Sequence, residues 1–223
     1  MSAFVVILTK DLRLELRSGT STIAMVALAM LVLVVLVFAL GPAVARGPEA
    51  AAAALWIALV FAGMLGASRA LMAESENGCL RALLISPADR AVLYAAKLAA
   101  AAIFMIVALG AGAIFTVLFF NLEFSGALPR MAPILILGVI GFAALATLLS
   151  AISGRARGGE LLLPLLVVPM FVPALVAGVR ASATALSGAP LGAARDWIAI
   201  LVAFDVLFVA AGYLLFEHVI GEE

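Results

Sequence analysis

The chain has 223 residues, of which 67% are hydrophobic and 12% are charged, whereas an ordinary soluble domain carries about 25% charged residues. This balance excludes a soluble fold, because a compact domain in water could not hide so much apolar surface. The thirteen basic and thirteen acidic side chains exclude the overall basic field of a nucleic-acid-binding protein, and the single cysteine, Cys79, excludes an intrachain disulfide and a cysteine-based zinc site.

Residues 1–20 predict an amphipathic helix that lies in the membrane interface, with its leucines in the acyl boundary and its basic side chains toward anionic lipid. Leu14 departs from this pattern, and a polar extension of the first membrane span is the alternative interpretation. The basic stripe consists of Lys10, Arg13 and Arg17, and the apolar stripe consists of Phe4, Leu8, Leu12 and Leu16.

Six charge-poor stretches are each long enough to cross a bilayer as a helix, since about 20 apolar residues span a hydrocarbon core of roughly 30 Å. The first apolar run exceeds the core of a secretory signal, so we expect an uncleaved anchor. The sequence therefore predicts an all-α, polytopic membrane protein with a single transmembrane domain over residues 1–223. The predicted spans are 22–41, 50–68, 98–120, 131–152, 161–179 and 197–216.

The distribution of basic residues predicts the orientation of these spans. With six spans both termini share one side, and the segments on that side carry nine basic residues against four on the other. The positive-inside rule then places both termini in the cytoplasm. The nine are Lys10, Arg13, Arg17, Arg69, Arg81, Arg90, Lys97, Arg155 and Arg157, and the four are Arg46, Arg130, Arg180 and Arg195.

The longest polar interruption lies between the second and third spans and predicts a cytoplasmic segment over residues 73–93. Leucines at helical spacing follow the Asn77-Gly78 turn and stop before Pro87, which favours a short amphipathic helix. Such a helix can dock into a groove on another protein, or its leucines can simply cover the span ends. The leucines are Leu80, Leu83 and Leu84.

The fifth span contains Pro164, Pro169 and Pro173, each of which removes a backbone donor and tends to kink a helix. Kinked membrane helices often line a cavity or move, so we expect a mechanical role, although prolines are also common in ordinary membrane helices. Glu160 at the mouth of this span is expected to form a boundary ion pair with the nearby arginines.

Asp205 lies near the middle of the sixth span, where a charge costs at least about 2.5 kcal/mol. We therefore expect Asp205 to face a partner or a wet cavity, which makes it the best site candidate on physical grounds. His218 is a weak candidate for a haem ligand, and an ordinary interfacial histidine is favoured. No P-loop or catalytic signature occurs in the chain, so we expect no enzymatic activity and an ATPase, if any, on a separate polypeptide.

Several landmarks are spread from the first helix through the fifth span. They are Arg13-Leu14-Glu15-Leu16-Arg17, Gly41-Pro42, Trp56, Arg69, Gly78-Cys79-Leu80, Pro87, Lys97, Arg157-Gly158-Gly159, Pro169 and Pro173. Together they resemble the cytochrome c maturation B family, CcmB, the permease subunits of haem-linked ABC exporters, which are related to ABC-2-type permeases. The chain departs from the family pattern at Asn77, Cys79 and Arg81.

The resemblance implies a homodimer in the bacterial inner membrane, flanked by two CcmA-like ABC ATPase subunits. It also implies association with CcmC-like and CcmD-like haem-handling membrane subunits and, indirectly, with a CcmE-like haem chaperone. Haem would be a transported or handled ligand, with no tightly bound cofactor. The residues that would couple the chain to the ATPase are Glu74, Glu76, Gly78, Leu80, Leu83, Leu84 and Pro87.

On this interpretation, closure of the ATPases pushes on the coupling helix, and the motion passes through Arg69 and the second and third spans. Three alternative functions are also compatible with the sequence. The chain could be an ABC-2-type permease for a drug, a lipid or a polysaccharide precursor, or a scaffold that transports nothing. An intramembrane enzyme using Asp205 is the third, but a lone carboxylate lacks the companion group that acid-base catalysis usually needs.

Overall fold

A computed structural model describes residues 3–45, 47–76, 90–122, 124–154 and 159–221. Within these ranges the chain forms helices and no strand. Seven α-helices are described, with a short 3-10 helix, Leu191–Ala194, before the last of them. They are α1 (Ala3–Ser18), α2 (Thr20–Ala45), α3 (Pro48–Glu76), α4 (Arg90–Phe119), α5 (Phe124–Ser153), α6 (Gly159–Leu186) and α7 (Arg195–Gly221).

Six helical stretches in the described ranges are long and apolar enough to cross a membrane, one for each of α2 to α7. This confirms the predicted all-α, polytopic architecture. The helices satisfy their own backbone hydrogen bonds, which the hydrocarbon core of a bilayer requires. The stretches are Thr20–Gly41, Pro48–Met72, Arg90–Phe119, Leu128–Ser153, Leu161–Leu186 and Leu191–Phe216.

The helix α5 is the centre of the bundle. In its most apolar stretch 72% of the residues are buried, compared with 17% in α2 and 22% in the last span. It packs against α3, α4, α6 and α7, while α2 packs against α3 and α4 on one side of the bundle. The outer faces of α2 and α7 expose large apolar side chains, which suits contact with lipid.

A chain of aromatic rings links three helices to α5 in the core. The Phe171 ring lies edge-on to the rings of Phe142 and Phe204, with centroids 5.1 and 5.7 Å away, and stacks at 6.4 Å on Trp56. Trp56 is fully buried, and its indole Nε1 donates a hydrogen bond of 2.9 Å to Ser182 Oγ, which is also buried. The indole therefore joins α3 to α6 by packing and by one polar contact.

Glycines allow the backbones of α5 and α6 to approach the Trp56 ring. A Cβ atom added at Gly138 or at Gly178 would overlap the outer ring of the indole. Small residues at helix contacts of this kind are a common means of close packing in membranes, where lipid supplies no hydrophobic drive for association.

The first helix is separate from the first span. The chain turns between them at Gly19, whose φ of 61° is in the left-handed region that favours glycine. α1 packs mainly against α4, and its Leu14 and Leu16 are exposed by 60% and 81%. The placement of α1 in the membrane interface stays a prediction.

Prolines and a glycine have different effects on the backbone of two spans. α6 is one continuous helix through Pro164, Pro169 and Pro173, so these prolines do not divide it. The break within a helix occurs instead in α2, where Gly41 has φ 72° and ψ 164°. This position agrees with the predicted end of the first span at residue 41.

Candidate functional site at the charged end of the bundle

The coupling residues predicted from the sequence fall mostly outside the described residues. Glu74 and Glu76 belong to the last turn of α3, although the structure does not describe their side chains. The remaining five, Gly78, Leu80, Leu83, Leu84 and Pro87, lie between α3 and α4, outside the described ranges. The assignment of this segment to ATPase coupling stays a prediction.

Arg69 lies two turns before the end of α3 and connects this helix to the turn between α1 and α2. Its Nη1 donates a hydrogen bond of 2.9 Å to the main-chain carbonyl of Thr20, the first residue of α2. Arg69 is half-buried as a residue, and the hydrogen bond itself is exposed. This contact joins α3 to the start of α2.

The same turn is held by Glu15 of α1. The Glu15 carboxylate accepts hydrogen bonds from the backbone N–H of Thr22, at 2.6 Å, and from its hydroxyl, at 2.9 Å. A carboxylate at the N-terminus of α2 also faces the positive end of the helix dipole. Glu15 and Arg69 together fix the position of α1 relative to α2 and α3.

A cavity of about 460 Å³ lies between α1, α2, α3, α4 and α5 near this turn. Three basic residues from three different helices contribute to its wall: Lys10, Arg69 and Lys97. The sequence predicts all three on the cytoplasmic side, and the structure brings them to one cavity. The wall also contains two acidic residues, Asp11 and Glu15, together with hydroxyl-bearing, small and apolar side chains.

Asp205 is deeply buried, with 7% of its surface exposed. Neither carboxylate oxygen has a hydrogen-bond partner among the described residues. One oxygen lies so close to Gly141 of α5 that an added Cβ there would collide with it. Asp205 lies in the contact between α5 and α7, and its expected partner or wet cavity stays a prediction.

The other predicted site residues lie on α6 and α7. Pro169 and Pro173 lie on exposed parts of the α6 surface, away from the cavity. Glu160 lies in the first turn of α6 and His218 in the last turn of α7, but the structure does not describe either side chain. Their assigned roles stay predictions.

Two polar contacts escaped the sequence analysis. Tyr94 is buried, and its hydroxyl lies 3.2 Å from the carbonyl oxygens of both Ala144 in α5 and Phe208 in α7. Ser182 accepts the hydrogen bond of Trp56. The sequence analysis does not single out Tyr94, which lies between the predicted cytoplasmic segment, 73–93, and the predicted start of the third span at residue 98.

The comparisons with known proteins cover nearly the whole chain. The family model described as "CcmB protein" matches residues 2–219. The chain belongs to the CcmB family. The match includes every site residue considered above, among them Arg69, Asp205 and the segment before α4.

Curated relatives agree with this assignment. The chain is 30% identical over 195 residues to heme exporter protein B of Bradyrhizobium diazoefficiens, covering 84% of each chain. It is 27% identical over 220 residues to heme exporter protein B of Pseudomonas aeruginosa, covering 95% of this chain and 96% of the relative. A protein of the same name from Paracoccus denitrificans is 30% identical over 184 residues, or 82% and 84% of the two chains. The resemblance to the CcmB family read from the sequence is confirmed.

Proposed function

We propose that the chain is the permease subunit of a haem exporter that serves the biogenesis of c-type cytochromes. The observation that carries this proposal is the CcmB match over residues 2–219, on a chain that folds as a bundle of six candidate spans. Relatives named heme exporter protein B align over 79% to 96% of their own length, so the likeness covers the whole bundle and not one segment of it.

The chain would act without hydrolysing ATP itself. Its sequence holds no G-x-x-x-x-G-K-[ST] loop to cradle nucleotide phosphates. A separate ABC ATPase subunit would therefore supply the energy, with two copies of the permease flanked by two ATPases. CcmC-like and CcmD-like membrane subunits would handle haem beside them, and a CcmE-like chaperone would receive it.

Contacts near the C-terminal end of α3 support a route by which motion of the ATPase would reach the helical bundle. The predicted coupling segment, residues 73–93, begins at the C-terminal end of this helix. Arg69 hydrogen bonds the first residue of α2, and Glu15 joins α1 to the same turn. A push on the segment would thus reach three helices at once, because they share one hydrogen-bonded turn.

The proposed topology has both termini in the cytoplasm of a bacterium and the chain in its inner membrane. The excess of basic residues on that side supports this orientation. A fluorescent protein fused after Glu223 should fold and fluoresce, whereas alkaline phosphatase fused at the same position should be inactive. Active phosphatase and a dark fluorescent protein would reverse the orientation.

Affinity purification from native membranes tests the assembly and the coupling segment together. The full chain should retain an ABC ATPase, and deletion of residues 80–84 should release it while membrane insertion is unchanged. Arg180→Gln provides the control, because this exposed arginine lies in α6, away from the cavity and the segment. Normal ATPase retention by the deletion variant would remove the coupling assignment, and absence of any ATPase with the full chain would remove the exporter assignment.

A further inference from the structure

The contact between α5 and α7 buries a carboxyl group that the bundle does not satisfy. Asp205 is 7% exposed, and neither of its oxygens has a hydrogen-bond partner among the described residues. One of these oxygens and the ring of Phe204 both lie against Gly141 of α5. A carboxyl group without partners is costly in either protonation state, because the ionised form loses its hydration and the neutral form leaves an O–H donor unpaired.

One turn further along the same contact, a single hydroxyl group links the two helices. The carbonyl oxygens of Ala144 in α5 and Phe208 in α7 both lie 3.2 Å from Tyr94 Oη. Each is three residues beyond Gly141 or Asp205, about 4.5 Å along helices that run in the same direction as the fourth and sixth candidate spans. The hydroxyl has one proton, so it can donate fully to only one of the two carbonyls. The polar link across this contact is therefore weak.

The helix α7 is also held less firmly than α5. Only 22% of the residues in the most apolar stretch of the last span are buried, compared with 72% in α5. Leu201 and Phe204 of α7 belong to the main core, whereas the C-terminal part of the helix contributes to a second apolar cluster. One continuous core therefore does not hold α7 along its length. The second cluster consists of Leu93, Tyr94, Leu148 and Phe216.

We propose that the contact between α5 and α7 alternates between the closed arrangement described here and an open one in which water reaches the Asp205 carboxyl. Hydration in the open arrangement recovers the free energy that burial of the carboxyl costs in the closed one. Asp205 thereby reduces the free-energy difference between the two arrangements, so that the open one is populated. This opening is a property of the bundle and does not depend on what the chain transports.

Chemical modification of the carboxyl itself tests the opening. The chain with its co-purifying subunits, in lipid nanodiscs, is treated with a water-soluble carbodiimide and a hydrophilic amine, which convert a carboxyl that water reaches into an amide. Peptide mass spectrometry then measures the rate at Asp205 and at Asp196, an exposed carboxyl in the first turn of the same helix. We expect Asp205 to react, but about tenfold or more slowly than Asp196, because its reaction requires the open arrangement.

Two variants and a matched control locate the opening. Gly141→Ala should raise the rate at Asp205 about tenfold, because the added Cβ collides with a carboxyl oxygen only in the closed arrangement. Gly178→Ala is the control, since it overpacks the contact with Trp56 instead and should leave this rate unchanged. Tyr94→Phe removes the shared hydroxyl and should raise the rate about threefold, which keeps the test available if Gly141→Ala does not fold.

Three results would overturn the proposed opening. Asp205 could stay unmodified in the wild type and in Tyr94→Phe while Asp196 reacts completely, which would show a contact that does not open. Asp205 could react as fast as Asp196, which would show a carboxyl that is always in water. Gly178→Ala could accelerate the reaction as much as Gly141→Ala, which would show general loosening of the bundle. Because the assay measures the carboxyl and not cytochrome assembly, each of these results leaves the proposed function untouched.

Discussion

A methyl group added at Gly178 should destabilise the bundle, because the new atom would overlap the outer ring of Trp56. The indole cannot move away easily. It is fully buried, lies against Gly138 on its other neighbour helix, and is held by the hydrogen bond to Ser182. Overpacking of this kind costs about 1 to 3 kcal/mol, so Gly178→Ala should lower the free energy of unfolding by about that amount.

The cost of Gly178→Ala should shrink when Trp56 is replaced by phenylalanine. The overlapped atoms are Cζ2, Cη2 and Cε2 of the indole, which a phenylalanine ring placed on the same Cβ does not reproduce. Trp56→Phe will itself destabilise the protein, since it removes the contact with Ser182 and leaves a void. In the double variant, however, the added methyl group occupies part of that void, and a coupling energy of about 1 kcal/mol or more is expected.

Unfolding in mixed micelles of a mild detergent and sodium dodecyl sulfate, followed by far-ultraviolet circular dichroism, measures these differences. Gly110→Ala is the matched control, because no atom lies within 4 Å of a Cβ built at that helical glycine. It should be neutral or stabilising by up to about 1 kcal/mol through helix propensity. Equal stability of Gly178→Ala and Gly110→Ala, or an undiminished cost in the Trp56→Phe background, would refute the packing argument.

Three further substitutions can be followed by the same titration. Gly19→Ala should destabilise by about 1 kcal/mol, since its φ of 61° disfavours a side chain; stability equal to that of the wild type would contradict the turn. Tyr94→Phe should cost about 0.6 kcal/mol, the average for hydrogen bonds between membrane helices, and no cost would show that its hydroxyl contacts are ineffective. Asp205→Ala should stabilise the bundle, because removing a buried carboxylate without a partner among the described residues gains more than the small void costs, and clear destabilisation would contradict this balance.

Hydropathy predicted the architecture because lipid leaves few choices for a backbone. A stretch of about 20 apolar residues must form a helix in hydrocarbon, so the number of spans can be counted from the sequence. Boundaries were less certain. α4 begins at Arg90, ahead of the predicted start at residue 98, because the charge-poor run used to locate the span begins only after Lys97, although Leu93 and Tyr94 before it are buried.

The contacts that fix the bundle were harder to predict. Trp56 and Ser182 are 126 positions apart, and no sequence pattern indicates that their side chains form a hydrogen bond. The common location of Lys10, Arg69 and Lys97 could be expected from the charge bias, but the cavity between them depends on which small residues face one another. The prolines of α6 lie inside one continuous helix and do not end it, and their mechanical role stays a prediction.

The proposed function makes this chain the permease of a haem exporter required for c-type cytochromes. Haem staining of membrane proteins from a strain lacking the gene, after electrophoresis under denaturing conditions, tests this function. Covalently bound haem should be lost in that strain, restored by the wild-type chain and not restored by the variant lacking residues 80–84. Normal amounts of haem-stained cytochrome c without the chain would contradict the account.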